Sequence, residues 1–222
     1  GNDTEENAIS KLLDVSSFNL NTFTPTSGTS SNGEALAGGS IESVNGGGYR
    51  TKFTTGGRTF VEYKQGWGNT APWGNVYVNG WSSGSNMGNS GCALTSIAVI
   101  ATGYGVNISP QDVADLVNSG EYNWGDLLGI TKHYIGKSCE WQTTGDIQQA
   151  IINQLKAGKP CMVHTTVNYP DGHFLTVLAY NEETQEVYVS NVGGWYDDDP
   201  TRNGWQPVEK LSEYDECMLI GD

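Results

Sequence analysis

The apolar spacing of this chain changes near residue 160, and that change constrains the fold more than any other feature. Ahead of it, "TTGDIQQAIINQLKAGKP" carries Ile147, Ile151, Ile152 and Leu155 at helical spacing, with Thr144 as a candidate cap and Gly158 as terminator. Beyond it the apolar residues recur at every second position, in "CMVHTTV", "HFLTVLAY", "EVYVSNV" and "ECMLI". The "NEET" stretch joins the second and third of these like a hairpin turn. One period lines up a helix face and the other a sheet face, so helix must give way to strands here.

Two more helices are expected upstream. Cys92 to about Ala101 is apolar enough for a buried helix, with Gly103 and Gly105 as its stop. In "NISPQDVADLVNSG", Ser109 is placed to cap, Pro110 to open the first turn and Gly120 to follow the end. Earlier still, "YRTKFT" and "RTFVEY" flank Gly56-Gly57, a hairpin signal. The layout is α+β: helices first, antiparallel strands second. Residues 1–48 stand apart. "ENAISKLLDV" suits one short helix, but the Gly/Ser/Thr-rich run after it lacks a core pattern, so 1–48 reads as an N-terminal arm or linker and 49–222 as the folded domain.

The formal net charge is −14, which argues against nucleic acid and anionic membrane surfaces as partners. No apolar run is long enough to span a bilayer. No basic-then-apolar leader opens the chain, and Gly1 with the polar stretch after it fits either an artificial start or a mature end left by a removed signal peptide; the expected location is extracellular or at the cell surface. None of the four cysteines lies in a CxxC pair, so a zinc or redox motif is unsupported. Asp197, Asp198 and Asp199 lack the alternating spacing of a calcium loop and read as a solvated turn. No cofactor or metal is expected.

Cys92 follows the small residues Ser90 and Gly91 and opens the apolar helix. A thiol at a helix start is either a small core residue or a nucleophile, since unpaired N–H groups and the helix dipole favour its thiolate. The small residues before it would leave room for a substrate backbone. A thiolate nucleophile needs a base. His133 follows a polar residue and reads as exposed; His164 lies inside a strand, where an imidazole pairs within the sheet; His173 follows the Asp171-Gly172 turn and begins a strand. His173 is therefore the best-placed base. Pairing through the "NEET" turn brings Asn191 beside it with no adjustment of the ladder, to orient the ring, although Asn also suits the turn in "NVGG". Gln65, between a strand and a Gly turn, could supply a second oxyanion donor beside the Cys92 N–H; alone it would read as a surface residue. With Cys92 set aside, Cys139, Cys161 and Cys217 leave room for at most one bridge.

The segments "YKQGW", "SGCALTSIAVI", "GHFLTVLAY" and "VYVSN" resemble the papain-like cysteine peptidases, and more closely the bacteriocin-processing, double-glycine type and its secreted bacterial relatives. The resemblance spans about residues 58–220. It implies a papain-like two-lobe fold, with an N-terminal helical lobe carrying the Cys and a C-terminal antiparallel sheet lobe carrying the His. It implies Cys92 as nucleophile, His173 as base and acid, Asn191 as orienter and Gln65 as oxyanion donor. The substrate would be a peptide or protein. The secreted relatives often carry Asp-Pro where this chain has Asn191-Val192, which makes Asp199 in "DDDP" a rival orienter. Cleavage after double glycine in that family makes Gly38-Gly39 a candidate self-processing point. Two other functions fit the same residues: a cell-wall amidase or endopeptidase acting on peptidoglycan stem peptides, and an inactive binding module using Trp67, Trp73, Trp195 and Trp205.

Overall fold

The computed structural model describes residues 49–193 and 203–222. The arm at 1–48 with Gly38-Gly39, and the loop residues Trp195 and Asp197 to Asp199, lie outside the described residues.

Gly56 and Gly57 both take positive φ, 52° and 85°. That is the backbone a tight hairpin turn needs, and only glycine adopts it cheaply at both places. Strands β1 (Arg50–Thr55) and β2 (Arg58–Tyr63) therefore pair antiparallel across it. A long turn-rich segment leads to a one-turn helix α1 (Met87–Ser90) and then to α2 (Cys92–Gly103). Every residue of α2 is buried, as expected of a helix that is apolar all round. Gly103 does not stop this helix. A Cβ there would sit 2.1 Å from the Phe60 ring, so Gly103 lets β2 lie directly on α2. Gly105, at φ 85°, follows the end. The hairpin is fastened to the same place by the Val61 N–H on Thr102 Oγ1 at 2.8 Å and Arg58 Nη1 on the Gly103 carbonyl at 2.9 Å.

Helix α3 (Pro110–Asn118) begins as expected, with the Asp112 carboxylate accepting from the Ser109 N–H at 2.8 Å. Helix α4 (Leu127–Ile135) and strand β3 (Cys139–Gln142) follow. Helix α5 (Ile147–Lys156) is capped by Asp146, not Thr144: its carboxylate accepts from the Gln149 N–H at 3.0 Å, as an ionised acceptor at the positive helix end does well. Gly158 terminates it at φ 79°.

The remaining strands are β4 (Cys161–Thr165), β5 (His173–Asn181), β6 (Glu186–Ser190), β7 (Asn203–Pro207) and β8 (Tyr214–Ile220), with a short 3-10 helix at Val208–Glu213. They form one six-stranded sheet in the order β3-β8-β4-β5-β6-β7, antiparallel throughout. Strands β4 to β6 alternate between two buried faces. Met162, Phe174, Leu178 and Met218 join the core of α2 and the hairpin, while Val163, Leu175, Val177 and Val189 pack with Ile151 and Leu155 of α5. The hairpin reaches this sheet through Phe53, stacked on Tyr188 at 3.6 Å between ring centroids.

Two tryptophans offered as a recognition surface are structural. Trp73 is wholly buried between Tyr49 and Tyr63, and Trp205 packs edge-on against Phe53 and Tyr188. Trp67 is 39 % exposed. All four cysteines are free thiols.

Candidate active site

Cys92 is the first residue of α2, where helix N–H groups lack intrahelical partners. The Gly91 before it serves packing rather than access: a Cβ there would lie 2.4 Å from the Met87 carbonyl oxygen, so glycine lets α1 fold tightly into α2. Ser90 is also buried and is hydrogen-bonded to Ser85 at 2.7 Å. The room for a substrate backbone expected at these two residues is occupied by the protein itself.

Across from the sulfur runs the start of β5. The Phe174 N–H donates to Cys92 Sγ at 3.4 Å, which brings the residue after His173 into contact with the thiol. His173 Nε2 and Asn191 Oδ1 lie 2.7 Å apart. The same Asn191 oxygen accepts from the Gly193 N–H at 2.9 Å, and Asn191 Nδ2 reaches the Tyr169 hydroxyl at 3.2 Å. A backbone N–H can only donate. The oxygen of the amide is therefore the atom facing His173, and His173 must carry its proton on Nε2 to bond it. Nδ1 is left as the ring's basic nitrogen. Tyr169 also lies flat on the imidazole, with centroids 4.1 Å apart and planes 16° from parallel.

Asn191 reaches this place through an adjustment the turn alone does not supply. At its turn end, the β5–β6 ladder pairs Asn181 with Glu186; past Val177 the register slips by one, and Thr176 pairs with Ser190. Continued without the slip, the ladder would set Asn191 opposite Thr176, on the face away from His173. The bulge at Leu178 moves it opposite Leu175, on the face His173 shares.

The backbone of Asn191 is gripped as well. Lys64 Nζ donates to its carbonyl at 2.6 Å, and its N–H donates to Asn203 Oδ1 at 3.0 Å. Lys64 Nζ bonds the same Asn203 oxygen at 2.8 Å, while Asn203 Nδ2 donates to Glu62 at 2.6 Å. Glu62 accepts further from Tyr188 at 3.0 Å and Thr51 at 3.2 Å. Burial pushes the Glu62 carboxyl above its ordinary value, and the Lys64 ammonium and the donated hydroxyls offset part of that. Lys64, Glu62, Asn203 and Tyr169 gave no sequence signal as a group, because they come from the end of β2, the start of β7 and a turn that only the fold brings together.

Gln65 is fully buried rather than on the surface. Its N–H donates to the Val192 carbonyl at 2.9 Å and its Nε2 to the Gly88 carbonyl at 2.9 Å, so it bridges the Asn191 segment and α1. The other histidines stay out of the cluster. His133 is exposed beside Tyr122, and His164 pairs with Asp215 at 2.7 Å. Cys92, His173 and Gln65 are wholly buried and Asn191 is 1 % exposed. A buried sulfur, a buried imidazole of fixed tautomer and an amide locking that ring can together ionise a thiol and return its proton elsewhere.

The family model described as Peptidase_C39 like family matches residues 72–213, which takes in Cys92, His173 and Asn191 but not Gln65. Among solved structures, the chain is similar to one described as a C39-like peptidase from Bacillus anthracis, at 16% identity and a TM-score of 0.43, covering 60% of this chain and 88% of that one. It is also similar to the N-terminal peptidase C39 like domain of the toxin secretion ATP-binding protein from Vibrio parahaemolyticus, at 19% identity and a TM-score of 0.38, covering 59% and 96%. A third, UfSP from C. elegans, shares 13% identity with a TM-score of 0.41, covering 74% of this chain and 33% of that one. Likenesses this distant bear on neither substrate nor mechanism. No curated protein matches the sequence.

Proposed function

The chain belongs to the Peptidase_C39 like family, and from that premise we propose that it is a cysteine peptidase with Cys92 as nucleophile, in a papain-like two-lobe arrangement. The observation that carries the reading is the double contact at the head of β5: the Phe174 N–H on Cys92 Sγ, and His173 bonded to Asn191 at 2.7 Å.

His173 Nδ1 takes the Cys92 proton, which leaves a thiolate beside an imidazolium at the start of α2. The sulfur attacks the carbonyl carbon of the substrate amide, and the carbonyl π pair moves to oxygen. The Cys92 N–H and the second N–H of Gln65 Nε2 face that oxyanion; the first is held by Gly88. The tetrahedral adduct collapses, the C–N bond breaks, and Nδ1 gives its proton to the departing amine. A water, deprotonated by the same nitrogen, then attacks the thioester and restores the thiol. Throughout, Asn191 Oδ1 accepts from Nε2 and holds the ring in plane. Because Cys92 is fully buried, substrate reaches the sulfur only when the walls over it part.

The test is hydrolysis of casein and of purified cell walls by the wild type and by Cys92→Ala. Casein cleavage that vanishes in the variant is expected. Activity confined to cell walls would place the substrate among peptidoglycan stem peptides, and activity that survives Cys92→Ala would refute the nucleophile.

A further inference from the structure

The sheet carries a second cluster of ionisable groups on the strands beside β5. His164 of β4 and Asp215 and Glu216 of β8 each present one ligand atom, and these atoms all lie within 4.8 Å of one another. Consecutive strand residues normally face opposite sides, so Asp215 and Glu216 should not both reach one imidazole. The ladder explains why they do. His164 pairs with Glu216 but Thr165 pairs with Tyr214, which leaves Asp215 as an extra residue on β8. A bulge of this kind sets two residues against one and re-aims a side chain.

The imidazole is held in place from its other side. Gly172 stands at φ 90°, and a Cβ there would lie 2.5 Å from His164 Nε2. Glycine therefore lets the ring seat against the backbone, with Nε2 turned to Gly172 and Nδ1 turned to Asp215 at 2.7 Å. The Phe174 ring packs at 4.8 Å on the same imidazole. The His164 side chain is only 16 % exposed, while that of Asp215 is 53 % exposed. Among the described residues, His164 is the only ion-pair partner of Asp215, and no ion pair involves Glu216. Two carboxylates thus share one fixed imidazole, with open solvent on one side.

We propose that His164, Asp215 and Glu216 form a binding site for a divalent first-row transition-metal ion, of the zinc or manganese class. One imidazole nitrogen and two carboxylate oxygens are a borderline-hard set, suited to such ions and poor for copper(I) or other thiophilic ions. Three protein ligands leave coordination positions for water on the exposed side. The ion ties β4 to β8 at the bulge and pins His164 against Gly172, the residue before His173. The site uses none of the residues assigned to peptide hydrolysis.

The experiment is calorimetric titration of Zn²⁺ into Cys92→Ala protein, so that this thiol cannot capture the metal. One ion per chain is expected. His164→Gln and Asp215→Asn, made in the same background, should each weaken binding about tenfold or more. Circular dichroism of the metal-free variants controls for folding; should a variant misfold, X-ray absorption of the zinc-loaded parent decides, with nitrogen and oxygen ligands expected. The absence of saturable binding, affinity unchanged in both folded variants, or sulfur in the absorption spectrum would overturn the site and leave a plain His164–Asp215 ion pair. Because the background lacks Cys92, each of these outcomes leaves the peptidase reading where it stood.

Discussion

Lys64 donates from its buried ammonium to the backbone carbonyl of Asn191 over 2.6 Å, which ties the end of the first hairpin to the residue that bonds His173. The next residue repeats the tie, through the Gln65 N–H on Val192. The two ends of the site are thus fixed to one another through β2 and not only through the α2–sheet contact. Asn203 completes the arrangement by bonding the Asn191 N–H, Lys64 and Glu62 at once.

Asn203→Ala should therefore injure both folding and turnover. It strips one partner each from a buried carboxylate, a buried ammonium and a buried amide N–H, and should cost about 1–3 kcal/mol in urea melts. The His173 ring loses its fixed support, so kcat should fall, by up to about a hundredfold for a shift near 1 Å, with KM little changed. Equal loss through KM alone would mean that Asn203 shapes substrate binding instead.

Tyr169 can be taken apart in two steps. Tyr169→Phe keeps the ring stacked on His173 and removes only the hydroxyl that meets Asn191 Nδ2. Tyr169→Ala removes both. The Phe variant should lose about 0.5–1.5 kcal/mol of stability. It should keep most of its kcat, while the Ala variant falls well below it at similar KM. Equal kcat values in the two variants would show that the stacked ring does not position the imidazole.

Glu62 gives the stability curve a particular slope. Its folded-state pKa is raised, chiefly by burial, so the folded chain holds this proton more tightly than the unfolded chain does. Its contribution to stability is then full below the ordinary carboxylate pKa and declines as pH rises toward the raised value. Above that value the contribution is level. The stability of wild type minus that of Glu62→Gln should accordingly fall with rising pH across this window. Urea melts at several pH values would read the difference, and parallel curves would refute it. The variant should also be destabilised at low pH, since its amide N–H₂ replaces one acceptor oxygen and so meets either the Asn203 amide donor or the Tyr188 and Thr51 hydroxyls.

How much of this was legible in the chain follows from where each signal lives. Gly56-Gly57, the Ser109-Pro110 start and the helical-to-alternating switch are local, and the elements appear where the residues place them. Cys92, His173 and Asn191 each sit at the edge of such an element, which marks each position along the chain; counting along the strands alone does not bring Asn191 to His173, since the unslipped ladder sets it on the opposite face. The bulge at Leu178 was not legible, because nothing in "HFLTVLAY" marks a slipped register; the slip is set by what the two sheet faces bury. Strand β7 was hidden for a related reason. No alternating apolar pattern marks "NGWQP", whose place in the sheet rests on Trp205 packing against Phe53 and Tyr188. Gly91 and Gly103 were read by the habits of glycine, as room and as a stop, when their cause is close approach of Met87 and Phe60.

The order in which the thiols react separates an activated sulfur from an ordinary one. Exposure alone favours Cys139, which is half-buried, over Cys92, which is wholly buried. Under the proposed mechanism, ionisation favours the reverse. Burial pushes Cys139 up to about 11, so at pH 8 only about one molecule in a thousand carries its thiolate. Cys161 is held well above the usual thiol range by its contact with Cys217 and by burial, and both are wholly covered. A Cys92 thiolate paired with His173 needs only brief opening of the site to react. Iodoacetamide at pH 6 to 8, read by peptide mass spectrometry, should therefore modify Cys92 first, with little dependence on pH, while Cys139 labelling climbs about tenfold per pH unit. Modification of Cys139 ahead of Cys92 at pH 6 would mean that the sulfur at the head of α2 is not activated, and the hydrolytic reading would fall with it.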